Sequence, residues 1–345
     1  MRRYYSTFFD RNYLVKGVAF IESLHRHEKN DFELFVVCLD ELTRIVIDRL
    51  HFPKVTTIPL HDIEAGDLDL NIAKHNRSIV EYYWTASPTI SIRILERNPR
   101  IEALNYLDAD IYFFSSPDPI WEELHGHSFL IHGHRFPPRL KSCEKWGKYN
   151  AGMHCIRNDP KGMEVLYRWR EESNEWCYYQ MKDGNFANQT NLDKWTERFD
   201  GVGELQNIGA GLSPWNHEQY RHGSDKEGRP LVNGIPVTFY HFHALEFVNP
   251  YVIVPIKNTM YPLTVDILRL LFLPYAYALH QAMAKVQSVV PNFSFGLVNQ
   301  EVLTPNHTFI GRKELADKIQ VNQTPIKLDD NWNYYKSNQL IGSAA

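Results

Sequence analysis

"LNYLDADIYFF", residues 104–114, sets two carboxylates one residue apart within one of the most apolar stretches of the chain. An unpaired buried carboxylate is costly and ordinarily takes up a proton instead, so Asp108 and Asp110 need a partner that water alone does not supply. The stretch reads as an apolar strand, and the pair falls where that strand stops, the end at which open α/β sheets hold their ligands. A hard divalent cation, Mg2+ or Mn2+, would satisfy both groups, because such ions take oxygen ligands and complete their shells with substrate phosphates. Ala109 between them is small enough for a diphosphate to approach. The structural alternative is a strand-end pair bonded to turn amides. Asp67-Leu68-Asp69 has the same spacing in the polar stretch "HDIEAGDLDLNIAKHN" and reads as two solvated carboxylates.

Upstream, "YYSTFF" reads as a strand and "NYLVKGVAFIESLHRH" as an amphipathic helix. "FELFVVCLD" has almost no polar face, which suits a parallel strand covered on both sides. "ELTRIVIDRLH" reads as a helix, "KVTTIPL" as a strand, and "SPTISIRILERN" as a helix leading into the Asp-pair strand; this is the βαβ rhythm of an α/β domain. Beyond Pro117 the expected elements are strands at "SFLIHGH" and "YNAGMHCIRND", a helix at "GMEVLYRWREESNEWCYYQMK", and a strand at "PVTFYHFHAL". In the last of these, His241 and His243 share a face if the chain is extended. "TVDILRLLFLPYAYALHQAMAKVQSVV" reads as a helix pair broken near Pro274, and the last forty or so residues read as a loosely ordered tail. The expected division is residues 1–250 as a catalytic domain and 251–345 as a helical extension and tail.

Composition removes several classes of function. With 345 residues, 43% of them hydrophobic and 13% aromatic, the chain can bury a large core. Lys and Arg number 37 against 41 Asp and Glu, a net charge of -4; without a basic surplus, nucleic acid is not expected as a partner. Cys38, Cys143, Cys155 and Cys177 form no Cys-x-x-Cys, which fits free thiols in a reducing compartment. No run approaches the roughly 20 apolar residues of a membrane span or the core of a signal peptide, so a cytoplasmic protein is expected. The helical segment after residue 260 fits either core packing or peripheral contact with a membrane.

"YLDADIYFF" resembles the metal-binding motif of GT-A nucleotide-sugar glycosyltransferases. Over roughly residues 4 to 245 the chain is similar to their retaining, family 8-like branch and to bacterial glycosyltransferases of surface-polysaccharide pathways. The resemblance implies a Rossmann-like mixed sheet flanked by helices, with a C-terminal helical extension. "TFFDRNYL" is similar to the family's first strand and turn, which maps base contacts to Asp10, Asn12 and Tyr13, with Thr7 and Phe9 in the strand before them. A carboxylate can accept the imide N–H of uracil while an aromatic ring stacks on the base; Asp10 serves equally well as a helix N-cap. "YYWTASPTISIR", residues 82–93, resembles the segment that frames the donor and implies Thr85, Ser87 and Arg93 as contacts.

"YNAGMHCIRND" resembles a donor-sugar segment, implying Asn150, with Gly152 for close backbone approach; an ordinary strand entry with a turn glycine is the alternative. "NIGAGLSPWNHEQY", residues 207–220, resembles a loop that closes on the donor, implying Gly211 and Trp215. "FYHFHAL" is similar to a His-x-x-Gly segment that supplies the third metal ligand. With Ala244 in the glycine's place, the ligand is His241, with His243 as alternative. A lone strand histidine is otherwise a structural residue. His125, His127, His132 and His134 of the doubled "HGH" read as surface residues. Trp146, Tyr149 and Trp215 form either an acceptor platform or core.

One departure concerns catalysis. In "FANQTNLDKW", Asn188 stands where the family carries an acid before the glutamine that here is Gln189. These two are the candidate catalytic positions. An amide can bond a hydroxyl but cannot take up a proton. The readings are divergence with the chemistry carried elsewhere, a binding-only protein, or a substituted chain that traps substrate. The resemblance thus implies Mn2+- or Mg2+-dependent transfer from a UDP-sugar to a glycan or lipid-linked acceptor. The alternatives are a nucleotide-sugar-binding protein with little turnover and a haloacid dehalogenase-like phosphatase. The latter normally has Thr or Val two residues after the second Asp, where this chain has Tyr112.

Overall fold

All five residues of Ala103–Leu107 are buried, as expected of a central strand with both faces covered. Around it, in chain order, stand β1 (Arg3–Phe9), α1 (Leu14–His27), β2 (Phe32–Cys38), α2 (Glu41–Leu50), β3 (Val55–Pro59), α3 (Leu68–Asn76), α4 (Ile79–Arg97), β4 (Ala103–Leu107) and β5 (Ile111–Phe113). There follow β6 (Phe129–Gly133), β7 (Tyr149–Arg157), α5 (Pro160–Glu175), β8 (Val202–Glu204), β9 (Ala210–Leu212), β10 (Phe239–His241), β11 (Glu246–Asn249), β12 (Val252–Val254) and α6 (Leu273–Val289), with shorter turns and strands between them. The computed structural model describes residues 2–249, 252–256 and 260–298, and the backbone of the strands Phe309–Gly311, Tyr334–Lys336 and Gln339–Gly342. The chain forms two compact units, neither continuous in sequence.

The first unit comprises Met1–Phe9, Glu28–Asp108 and Ser116–Gly211. Its seven-stranded sheet runs β3-β2-β1-β4-β7-β6-β8. The first four strands are parallel, β7 is antiparallel to both β4 and β6, and β8 is parallel to β6. The sheet is mixed, as the resemblance implies. Helix α4 begins at a capping box in which Ser78 and Glu81 satisfy each other's end amides. It packs on α5, and both feed a core that includes Ile90, Ile94, Leu104, Phe129, Trp169 and Trp195. Each such side chain contributes about 2 kcal/mol by leaving water. Helix α5 stops at Glu175 rather than running on to the expected Lys182. Trp176 turns to extended backbone, and its ring packs on Tyr178 with centroids 4.7 Å apart.

His154 on β7 is fully buried, stacked on Tyr106 at 4.7 Å and edge-on to Trp169 at 5.0 Å. Burial pushes its pKa down to about 3 from 6.5. Between those values the unfolded chain binds one more proton than the folded one, so stability falls as pH drops below about 6.5. The slope is about 1.4 kcal/mol per pH unit. Chemical denaturation of wild type should therefore show a midpoint that declines from pH 6.5 to 4.5, and His154→Phe should decline less. Parallel curves would assign the acid sensitivity to other groups.

The second unit comprises Asp10–His27, Ala109–Ser115 and Leu212–Ala345. The single strand expected over residues 104–114 is two strands: β4 ends at Leu107, Asp108-Ala109-Asp110 make a turn, and β5 pairs antiparallel with β10, Tyr112 opposite Tyr240. Strand β9, where the chain passes into this unit, lies beyond β10 in the same sheet. Helix α1 packs on α6. It is tied to β5 by the Phe113 N–H donated to Ser23 Oγ at 3.1 Å and by Arg26 Nη1 donated to Tyr112 Oη at 2.8 Å. Pro274 does not break a helix pair. A π-helical turn, Leu268–Phe272, leads directly into α6, whose first turn holds the proline, where a missing N–H costs least.

The expected boundary at residue 250 falls between β11 and β12, which are neighbours in a five-stranded antiparallel sheet completed by the three short C-terminal strands. Apart from those strands, the expected tail lies outside the described residues. Among the described residues no helix is long and apolar enough to cross a membrane.

Candidate metal and donor site

The site starts where β4 leaves its sheet. The Asp108 N–H donates to the Gly152 carbonyl on β7 at 2.8 Å. Its carboxylate accepts the Tyr106 hydroxyl at 2.5 Å, and the Tyr106 ring is fixed by stacking on Phe8 and His154. Two residues on, the Asp110 carbonyl accepts the Phe242 N–H at 2.8 Å, which sets β10 in register with the turn. The buried Asp110 carboxylate then lies 3.0 Å from His241 Nε2. One ligand atom each from Asp108, Asp110 and His241 lie within 4.8 Å of one another. Trp215 packs edge-on against His241 and against His243, both at 5.4 Å.

Burial would raise the Asp110 pKa, but the His241 charge and hydrogen bond, with Lys16 and His243 beyond, outweigh it and hold the carboxyl below its ordinary range. Two hard carboxylate oxygens, from the partly exposed Asp108 and the buried Asp110, and one imidazole nitrogen from the buried His241 of β10 make a donor set that fits Mn2+ or Mg2+ with coordination positions left for a ligand. Ala244, in the place of the family's glycine, has φ 60°, the left-handed region where glycine is the easiest occupant.

The other sequence candidates are distributed as follows. Thr7 and Phe9 are buried on β1. The Asp10 carboxylate accepts the backbone N–H of Asn12 at 2.9 Å and of Tyr13 at 3.3 Å, so it does cap the turn into α1; the Tyr13 side of that turn is 43% exposed. Thr85 and Ser87 are buried in α4. The Thr85 hydroxyl donates to the Glu81 carbonyl at 2.8 Å and accepts Arg77 at 3.0 Å. Arg93 faces Asp67 at 3.6 Å and Glu96 at 3.3 Å. Asn150 Oδ1 accepts the Gly152 N–H at 2.9 Å, and its Nδ2 lies 3.2 Å from His134. Gly211 has φ 91°, and a Cβ there would stand 2.8 Å from the His132 ring, so this position demands glycine. Asn188 Nδ2 donates to the Trp84 carbonyl at 2.9 Å, and Gln189 Nε2 to the Trp146 carbonyl at 2.6 Å.

Two expectations are corrected. Asp67 is not solvated: it is buried, caps α3 by accepting the Leu70 N–H at 3.0 Å, and is met by Arg170 at 3.0 Å; only Asp69 is exposed. His132 and His134 are buried, not surface residues: His132 is on β6, inside the seven-stranded sheet, and His134, just past its end, stacks on Phe136 with ring centroids 4.9 Å apart. Of the two readings of Trp146, Tyr149 and Trp215, core holds for Tyr149 and Trp215, which are buried, while Trp146 is exposed.

Two residues escaped the sequence. Lys16 is buried on α1, and a lysine inside the apolar run "LVKGVAFI" was the signal available. Arg135 donates to the carbonyls of Leu205 at 2.6 Å and of Asn207 and Ala210 at 3.1 Å, fixing the loop before Gly211; nothing local in the sequence announces it.

No family model matches the chain. It is 29% identical over 310 residues to YfnD of Bacillus subtilis (strain 168), an uncharacterized protein, covering 88% of this chain and 97% of YfnD. It is 31% identical over 255 residues to YfnF of the same organism, also uncharacterized, covering 71% of this chain and 82% of YfnF. Its structure is similar to the crystal structure of the galactosyltransferase LgtC in complex with donor and acceptor sugar analogs, with a TM-score of 0.51 and 17% identity over 83% of this chain and 96% of that one. The mixed sheet and its flanking helices are those of the GT-A glycosyltransferase fold, and at this identity and coverage the chain belongs to the protein family of YfnF.

Proposed function

We propose that this chain is a metal-dependent glycosyltransferase that moves a sugar from a nucleotide-diphosphate donor, a UDP-sugar, to a glycan or lipid-linked acceptor. The observation that carries the reading is the Asp108, Asp110 and His241 group at the end of the central strand of a GT-A sheet. Those three residues would hold the cation, and bound Mn2+ or Mg2+ would neutralise charge growing on the departing diphosphate. Asp10, Asn12 and Tyr13 are assigned to the base: the Asp10 carboxylate accepts the backbone amides of Asn12 and Tyr13 and the Asn12 side-chain amide and keeps acceptor capacity beyond these three, and the Tyr13 ring is accessible. Burial of Asp110 and His241 keeps bulk water from the leaving-group side.

Asn188 favours a second reading, a nucleotide-sugar-binding protein with little turnover, because its amide cannot act as a base. Calorimetry with UDP and Mn2+, followed by hydrolysis of UDP-glucose and UDP-galactose, separates the readings. Metal-dependent UDP binding with donor hydrolysis is expected. Binding without hydrolysis of any nucleotide-sugar would favour the module. Phosphate release from p-nitrophenyl phosphate with no nucleotide binding would replace both with a phosphatase. For a transferase, the anomeric configuration of the product, read by NMR, is expected to match that of the donor.

A further inference from the structure

The apolar face of α1 carries a cation. Lys16, the third residue of the helix, is 6% exposed and lies among the buried Leu14, Val15, Val18 and Ala19. Its Nζ donates to the Leu245 carbonyl at 2.9 Å and stands 4.4 Å from the centroid of the Tyr13 ring. An ammonium has three N–H donors, and a carbonyl and a ring face offer partial charge only. The carboxylates acting on it are Asp110 and Glu246, with His243 also in its field. The ammonium is thus held by the segment that follows His241 and acts on Asp110, the partner of His241. A buried ammonium without compensation would cost several kcal/mol.

Resting on the reading above, we infer that Lys16 is a ligand for the donor's diphosphate and couples diphosphate binding to cation binding. When Asp108 and Asp110 take a divalent cation, their two negative charges are cancelled. Of the two carboxylates acting on it among the described residues, Lys16 then keeps the partly exposed Glu246 as a full countercharge. An incoming diphosphate restores the balance. Lys16 therefore opposes binding of the cation alone and favours binding of a nucleoside diphosphate in its presence.

Lys16→Met keeps the length of the side chain and removes charge and donors together. Lys16→Gln keeps a hydrogen bond to Leu245 and removes the charge alone. Each variant, checked for native circular dichroism, is titrated calorimetrically with Mn2+ alone, and then with UDP, GDP and ADP in saturating Mn2+. The expected result is Mn2+ binding as tight as wild type or several-fold tighter, with diphosphate binding weakened by about 10-fold or more, the worth of a charge-assisted contact. Wild-type diphosphate affinity in both variants would overturn the role of Lys16 and leave the site reading standing. Absence of nucleoside diphosphate binding by wild type would overturn the site reading, and this inference with it.

Discussion

Asp110→Asn is expected to weaken Mn2+ binding by about 100-fold or more, since loss of a residue that merely supports a metal ligand already costs 10- to 100-fold. Asp69→Asn, in the exposed member of the other Asp-x-Asp, is the control and should leave Mn2+ binding unchanged. The substitution preserves shape, so the loss reads the carboxylate's charge. It also leaves His241 and the buried Lys16 facing an amide, and breaking such a buried pair costs about 3 to 5 kcal/mol. With chelator present, the variant should therefore unfold at lower denaturant than wild type.

The pH dependence fixes the cause. Burial pushes the Asp110 carboxyl up, and His241, Lys16 and His243 pull it further down, so the folded protein holds it below the unfolded value of 3.8. Below that value the unfolded chain binds the proton first. The stability contributed by Asp110 is thus complete above about pH 5 and lost as pH falls through the folded pKa. The gap between wild type and Asp110→Asn should be full at neutral pH and shrink below about pH 4. Equal Mn2+ binding by the variant would remove Asp110 from the metal site.

What the sequence disclosed and what it hid follow from the range of the forces involved. Strands β2 and β4 were legible because burial on both faces leaves nearly continuous apolar runs such as Phe32–Cys38, whereas the edge strand β3 is at most partly buried. The Asp pair stood out for the same reason: carboxylates are conspicuous in that setting. His241 could be located only by register against Ala244, whose left-handed backbone appears in the structure. Asp67 was misjudged because its surroundings in sequence are polar, and the arginine that closes over it, Arg170, is 103 residues away. The C-terminal sheet was missed because its strands are three or four residues long and pair across gaps of many residues. Such pairing leaves little periodicity to read. Lys16 was passed over because an amphipathic pattern is scored by its apolar positions, while the informative position was the one that broke it.

Asn188→Asp tests whether the amide at the candidate catalytic position belongs there. Asn188 is buried, its Nδ2 donates to the Trp84 carbonyl at 2.9 Å, and its backbone carbonyl accepts the Trp169 indole N–H at 2.8 Å. Ala187 before it is held at φ 50°, so the backbone has little freedom to turn the side chain elsewhere. A carboxylate has no donor for the Trp84 carbonyl and would face its lone pairs in a buried setting. The expected cost at neutral pH is about 2 kcal/mol, the price of an unmade buried hydrogen bond. Protonation restores a donor, so the carboxyl should titrate above its ordinary range in the folded state. Its deficit relative to wild type is then small below the unfolded pKa, near pH 4, and grows as pH rises through the folded value. Denaturation at pH 4 and 7.5 should show that widening gap, and hydrolysis of UDP-glucose and UDP-galactose should not rise, because an acid held against a carbonyl is no better placed to serve the anomeric carbon than the amide it replaces. A tenfold gain in turnover with undiminished stability would mean that the pocket was built for an acid after all.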